Sequence, residues 1–193
     1  MASTATPYGL RPLKMLGGQP MSHGITRYKI ASAYAANVFY GDLVKLVAAG
    51  TIEKDTGTTT ANPVGVFLGC EYELTDEGLY HRQYWPTGTT VKTGTTAWAY
   101  VADDPDMLFA MQADDTLDQT ALGANAAIVQ GSGSTSTGMS GVSLDADTVD
   151  TTATLPIRIV DYIDNVAHSA LGDAFTDMVV RINTHFNRNA TAI

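Results

Sequence analysis

Apolar and polar side chains alternate with a period of two along much of this chain. Residues 80–85 set Tyr80, Arg82 and Tyr84 against His81, Gln83 and Trp85, and Pro86 stops the pattern. Residues 95–102 put Trp98 and Tyr100 on one face and Ala97, Ala99 and Val101 on the other. Residues 107–111 alternate again. Residues 157–163 align Ile157, Ile159 and Ile163, and residues 178–186 align Met178, Val180, Ile182 and Phe186. Successive strand side chains point to opposite faces, so each stretch predicts a half-buried β-strand. Residues 27–30 and 51–53 read as short strands. Residues 38–46 read as a strand interrupted at Gly41-Asp42 by a turn or bulge. The run from Val64 to Tyr72, introduced by Pro63, reads as a fully buried strand, with Gly65 and Gly69 marking close approach of a neighbouring backbone. Helical spacing is confined to residues 31–37 and 116–121, one or two turns each.

Two stretches carry no period. Residues 1–24 hold Pro7, Pro12 and Pro20 among Gly9, Gly17, Gly18 and Gly24, the composition of an extended arm. Fully stretched, ~20 residues reach about 66 Å. Residues 130–145 are built from Ser, Gly and Thr and predict a flexible loop. The expected organisation is an arm over 1–24 and a β-rich body over 25–193. The fold class is mainly β, a β-barrel or β-sandwich body with long loops and little helix.

Composition sharpens this picture. The chain of 193 residues carries 26 threonines and 18 glycines, which suit strands and turns respectively. Its length fits one domain. Twenty acidic residues against eleven basic ones leave a net charge of −9. That balance disfavours an electrostatic grip on nucleic acid or anionic membrane, which needs clustered Lys and Arg. The first residues lack the basic start and apolar run of a signal peptide, so the chain is expected to be cytosolic when made. The longest apolar stretch, around residues 64–70, is far short of the ~20 residues that cross a bilayer as a helix. A single cysteine, Cys70, rules out an internal disulfide.

Motifs for chemistry are sparse. His23, His81, His168 and His185 are far apart in sequence, without zinc-ligand spacing. Asp145, Asp147 and Asp150 lack the glycine and glutamate of an EF-hand loop and read as a solvated acidic loop. Asp103, Asp104 and Asp106 flank Pro105 as a turn. No nucleophile elbow, dinucleotide fingerprint or Walker A sequence occurs, and Cys70 sits in an apolar strand where a thiol acts as a small hydrophobe. The reading is of a protein without catalytic residues, metal or cofactor. Tyr80, Tyr84, Trp85, Trp98 and Tyr100 are the candidates for a sugar-stacking face; the competing reading places them in the β-core and at its rims.

The phrase Thr6-Pro7-Tyr8-Gly9-Leu10-Arg11-Pro12, then Tyr40-Gly41-Asp42-Leu43-Val44, resembles a group of tailed-bacteriophage virion proteins. So do Pro63-Val64-Gly65-Val66-Phe67-Leu68-Gly69-Cys70, Gln83-Tyr84-Trp85-Pro86, Tyr100-Val101-Ala102-Asp103-Asp104-Pro105, and Leu155-Pro156-Ile157-Arg158-Ile159-Val160-Asp161. These are head decoration or cement proteins of the marine and cyanobacterial phage type. The resemblance spans most of the chain and implies a β-rich protein on the outside of the major capsid shell, with no catalytic residues.

The residues suit that role by themselves. An arm and a body that engage two surfaces gain effective concentration. Tyr8, Leu10 and Leu13 are the expected anchors of the arm on the capsid, with Arg11 and Lys14 pairing with acidic shell residues. The expected partners are the major capsid protein and the chain itself, as a homotrimer or else a dimer, since shell three-fold positions favour trimers. The alternatives are another virion part, such as a tail- or fibre-associated β-domain, and a carbohydrate-binding module. A cell-wall hydrolase is disfavoured, because no nucleophile or zinc pattern occurs.

Overall fold

The computed structural model describes residues 4–20, 24–164 and 169–188. In chain order its strands are β1 (Arg11–Met15), β2 (Ile25–Ile30), β3 (Leu43–Leu46), β4 (Thr51–Lys54), β5 (Gly65–Leu74), β6 (Gly78–Arg82) and β7 (Ala97–Ala102). There follow β8 (Met107–Gln112), β9 (Asn125–Ala126), β10 (Ile128–Val129), β11 (Ser143–Leu144), β12 (Ile157–Tyr162) and β13 (Asp177–Ile182). Helical structure among the described residues is limited to short 3-10 turns, one of them at Gln119–Ala121 inside the expected 116–121 stretch. Residues 31–37 form turns instead of a helix, and Ala33 there has a φ of +60°, which no right-handed helix admits. The mainly β class is as the alternation predicts, and of the expected barrel or sandwich the structure contains a barrel.

Residues 25–102 supply a closed five-stranded barrel. Its ring runs β3-β4-β2-β7-β5, and β5 returns to pair with β3. The β2–β4 pair is parallel and the other ring pairs are antiparallel. A ring of five strands has a narrow interior, so small residues must line part of its wall. Ala97 and Ala99 of β7 do this, leaving room for Phe67, Tyr72 and Trp85. Trp85 is fully buried and meets Tyr72 edge-on, with ring centroids 5.2 Å apart. Its main chain exchanges both hydrogen bonds with Val38. Gly69 lies at a bulge in β5 with φ +147°, and Gly65 leaves no space for a Cβ beside the Ala102 carbonyl. Strand β6 extends the wall from β5 as a free edge.

The second layer is an open antiparallel sheet in the order β1-β8-β13-β12-β9. Its inner face carries Phe109, Met111, Met178, Val180, Ile157 and Ile159. These pack with Leu43, Val66 and Ala102, which lie in the same cluster and outside the barrel's own core. The two layers therefore share the barrel wall.

Two expectations are corrected here. Residues 7–15 are not a free arm. Strand β8 is buried throughout and needs neighbours on both sides, and β1 supplies one of them. Leu10 is fully buried in the core, its amide donating to the Gly41 carbonyl at 3.0 Å, and the Gly9 amide donates to Val142. As an edge strand, β1 tolerates Pro12 and a bulge between Pro12 and Lys14. Residues 1–3 and 21–23 of the expected arm lie outside the described residues. The segment 130–145, expected as a flexible loop, is anchored on both sides of an exposed tip at residues 135–137. Gly131 lies directly against Gly141, Gly133 lies on the Phe39 ring, and neither position has room for a Cβ. Ser140 donates to the buried Asp42 carboxylate at 2.6 Å. These glycines allow close packing within the segment and against the Phe39 ring.

Candidate interaction surface

Strand β1 is the edge of the open sheet and carries most of the residues expected to bind. The structure separates their roles. Leu10 is part of the core and cannot anchor a partner without unfolding. Tyr8 donates its hydroxyl to Asp177 at 2.9 Å, and the Arg11 guanidinium lies 4.1 Å from the Tyr8 ring centre. Burial, then the Asp177 charge, holds the Tyr8 hydroxyl well above the ordinary tyrosine range. The Tyr8 side chain is thus committed to the body, strapping the leading segment to β13. Gln112 adds a second strap: its side-chain oxygen accepts from the Thr6 amide at 2.8 Å.

Leu13 and Lys14 remain outward. Leu13 is 43 % exposed, Leu16 in the following turn 47 %, and Ile25 at the start of β2 45 %. These are three of the five exposed large apolar side chains among the described residues, all within residues 13–25. Leu16 and Ile25 border the same turn: the Leu16 amide donates to Asp106, and the Asp103 amide to Gly24. Leu16 and Ile25 were not expected from sequence; an apolar residue on each side of a glycine-rich stretch without a period is the signal they carry. Register sets Arg11 opposite Ala110 and Lys14 opposite Leu108, so both cations stand on the sheet face turned away from the barrel.

The acidic groups singled out in the sequence are largely engaged within the protein. Asp103 accepts from the Tyr28 hydroxyl at 2.8 Å, and Asp104 accepts from the Asp106 amide, closing the turn around Pro105. Asp150 accepts from the Thr151 amide and the Thr152 hydroxyl, which hold its carboxyl below the usual range. The deepest charge is Asp42. It receives the Phe39 amide, the Ser140 hydroxyl and the Lys54 ammonium, and so joins the barrel to the glycine-rich segment. A cleft beside Lys45 contains Asp55, whose two oxygens accept from the Gly57 and Asn62 amides. Burial pushes the Cys70 thiol up to about 12, as expected for an inert core thiol. Among the described residues no three His, Cys, Asp or Glu side chains are placed to hold a metal ion. His23 and His168 lie outside the described residues.

The five aromatics do not form one face. Trp85 is core, Tyr80 stacks on Tyr72, and Tyr84 stacks on Phe39. Trp98 and Tyr100 lie on the barrel exterior, where the Arg27 guanidinium covers Trp98 at 4.7 Å and also pairs with Glu71. A sugar ring stacking on Trp98 must first displace that cation.

Compared with protein-family models, with curated proteins and with solved structures, the chain matches none.

Proposed function

We propose that this protein is a structural binding protein of a phage head, cementing neighbouring major capsid subunits from the outside of the shell. The resemblance of its sequence phrases to decoration proteins supports the reading. The observation that carries it is the exposed trio of Leu13 on the edge strand β1, Leu16 in the turn after it and Ile25 at the start of β2. Scattered exposed apolar residues are ordinary, whereas a local set beside an unpaired strand edge favours docking on another protein. The body fixes this edge through Leu10 and Tyr8, so the docking element is presented preformed, with little ordering cost on binding. Its partners are the major capsid protein and further copies of the chain, and its place is the virion exterior.

The test uses surface variants, because removing residues 1–18 would strip β1 from β8. Purified protein is mixed with isolated phage heads and sedimented. Wild type co-sediments to saturation, and the triple variant Leu13→Ser, Leu16→Ser, Ile25→Ser binds about tenfold more weakly or worse, with an unchanged melting curve. A wild-type chain that ignores heads, or decorates only tails or fibres, overturns the reading.

A further inference from the structure

We propose that the outer face of the open sheet binds the acidic rim of a second copy of this chain, joining copies head to tail. The proposal deepens the lattice role above and rests on it for its use, while the contact itself requires only the chain.

Register assembles the basic face. Lys14 stands opposite Leu108, Leu108 opposite Arg181, and Arg181 opposite Arg158. Residues paired across strands share a face, so three cations fall in one row. Arg11 occupies the next row, opposite Ala110. Arg188 reaches the same place from the chain's end, where it and Arg181 share Asp106. Five of the eleven Lys and Arg thus gather on one face of a chain whose net charge is −9. Asp161 and Asp177 lie on that face too, opposite Val179 and Gln112, and Asp177 is occupied by Tyr8. Arg158 directly opposite Arg181 is an unfavourable like-charge pair, and the Arg181 Nε is buried without a hydrogen-bond partner. A carboxylate arriving from outside relieves the like-charge pair. The floor between them, Leu108, Ala110 and Val179, is only 3 %, 5 % and 7 % exposed, so the face selects charge rather than apolar surface.

The complement lies on the same chain. Between Lys92 and Arg158 there is no Lys or Arg, but there are nine Asp. Asp114, Asp145 and Asp147 converge: burial, then the charges of Asp114 and Asp147, push the Asp145 carboxyl up. Asp115 and Asp147 are exposed beside them. This rim follows the Gln112 end of β8, while Lys14, Arg181 and Asp106 gather at its Met107 end. The two patches sit at opposite ends of one strand and so match between copies. Contact between unlike patches is heterologous and closes into a ring or runs on as a strip, according to its rotation. Exposed ion pairs are individually weak, and copies held on a lattice meet at high effective concentration, where weak contacts count.

Sedimentation velocity on the full chain tests this. At ~0.1 M salt the Debye length of ~10 Å screens the overall repulsion between copies but not contact pairs; at ~1 M it is ~3 Å. Wild type is expected to associate with concentration at ~0.1 M and to loosen about tenfold or more at ~1 M. The variants Arg11→Gln/Lys14→Glu and Asp115→Lys/Asp147→Lys each remain monomeric, and an equimolar mixture forms a 1:1 dimer through the one intact pair of patches. Lys14→Glu alone replaces the first variant if its melting curve is shifted. A wild type that stays monomeric, variants that associate like wild type, association indifferent to salt, or a mixture that stays monomeric overturns the proposal. None of these readouts involves phage heads, so failure here is distinct from failure of the capsid reading.

Discussion

In the barrel ring each of five strands has a partner on both sides, whereas β1 ends the open sheet with one. The barrel is also drawn from one continuous stretch, residues 25–102, while the open sheet takes β1 from before it and β8, β9, β12 and β13 from after it. The barrel is therefore an insertion between two paired strands, β1 and β8. Closing so long a loop costs entropy that only the finished contacts repay. The closed ring keeps its main-chain groups to itself, whereas the sheet that gathers distant segments is left with an unpaired edge at β1.

Breaking the barrel from inside is expected to cost most. Trp85→Ala removes the largest fully buried side chain and is expected to destabilise by ~3–5 kcal/mol, read from urea unfolding. Leu10→Ala, the equivalent cut beneath the open sheet, is expected to cost ~2–4 kcal/mol. Its distinctive mark is hydrogen exchange: β1 amides should speed up more than β7 amides, because β1 is a long-range edge strand. Equal acceleration in both would show that the two layers open as one unit. Ser140→Ala deprives the buried Asp42 of one donor where barrel and glycine-rich segment meet, an expected loss of ~1–3 kcal/mol by the same assay.

A pH effect comes next. His185 is fully buried, its Nδ1 accepts from the Asn187 amide, and burial holds its pKa below the ordinary value. The unfolded chain takes up that proton near pH ~6.5, but the folded one only at lower pH. Stability owed to neutral His185 is thus complete above pH ~6.5 and falls as the pH drops below it. His185→Gln should flatten the decline between pH 7 and 5 in melting temperature; an unchanged slope would remove the histidine from the account. The smallest effect is expected at Leu79, 65 % exposed on the other free edge, β6. Leu79→Ser should stay within ~0.5 kcal/mol of wild type. If it also left head binding intact while the triple variant of the β1 edge lost it, the two edges would be told apart.

Most strands were legible because one face of each is apolar. Residues 157–163 and 178–186 announce β12 and β13 by alternation, residues 107–111 are apolar throughout because β8 is buried on both faces, and the Gly41-Asp42 step is a turn with φ +90° at Gly41. β1 was not legible: Pro12 and the bulge at Leu13 break its period, so a strand read as an arm. The two-residue strands β9, β10 and β11 are too short to show any period. Of the expected binding residues, Leu13 and Lys14 stay outward, while Leu10 and Tyr8 turn inward, a division that depends on Gly41, Val142 and Asp177 far along the chain.

The sequence alone determined the element types, since alternation is local and each strand writes its own buried face. It also settled the scarcity of helix and the unequal spread of charge. Which strands are neighbours, that Gly131, Gly133 and Gly141 pack closely, and that five cations share one face emerge only in the folded chain. Those facts arise from pairings between residues tens of positions apart, and no local pattern encodes a partner's register.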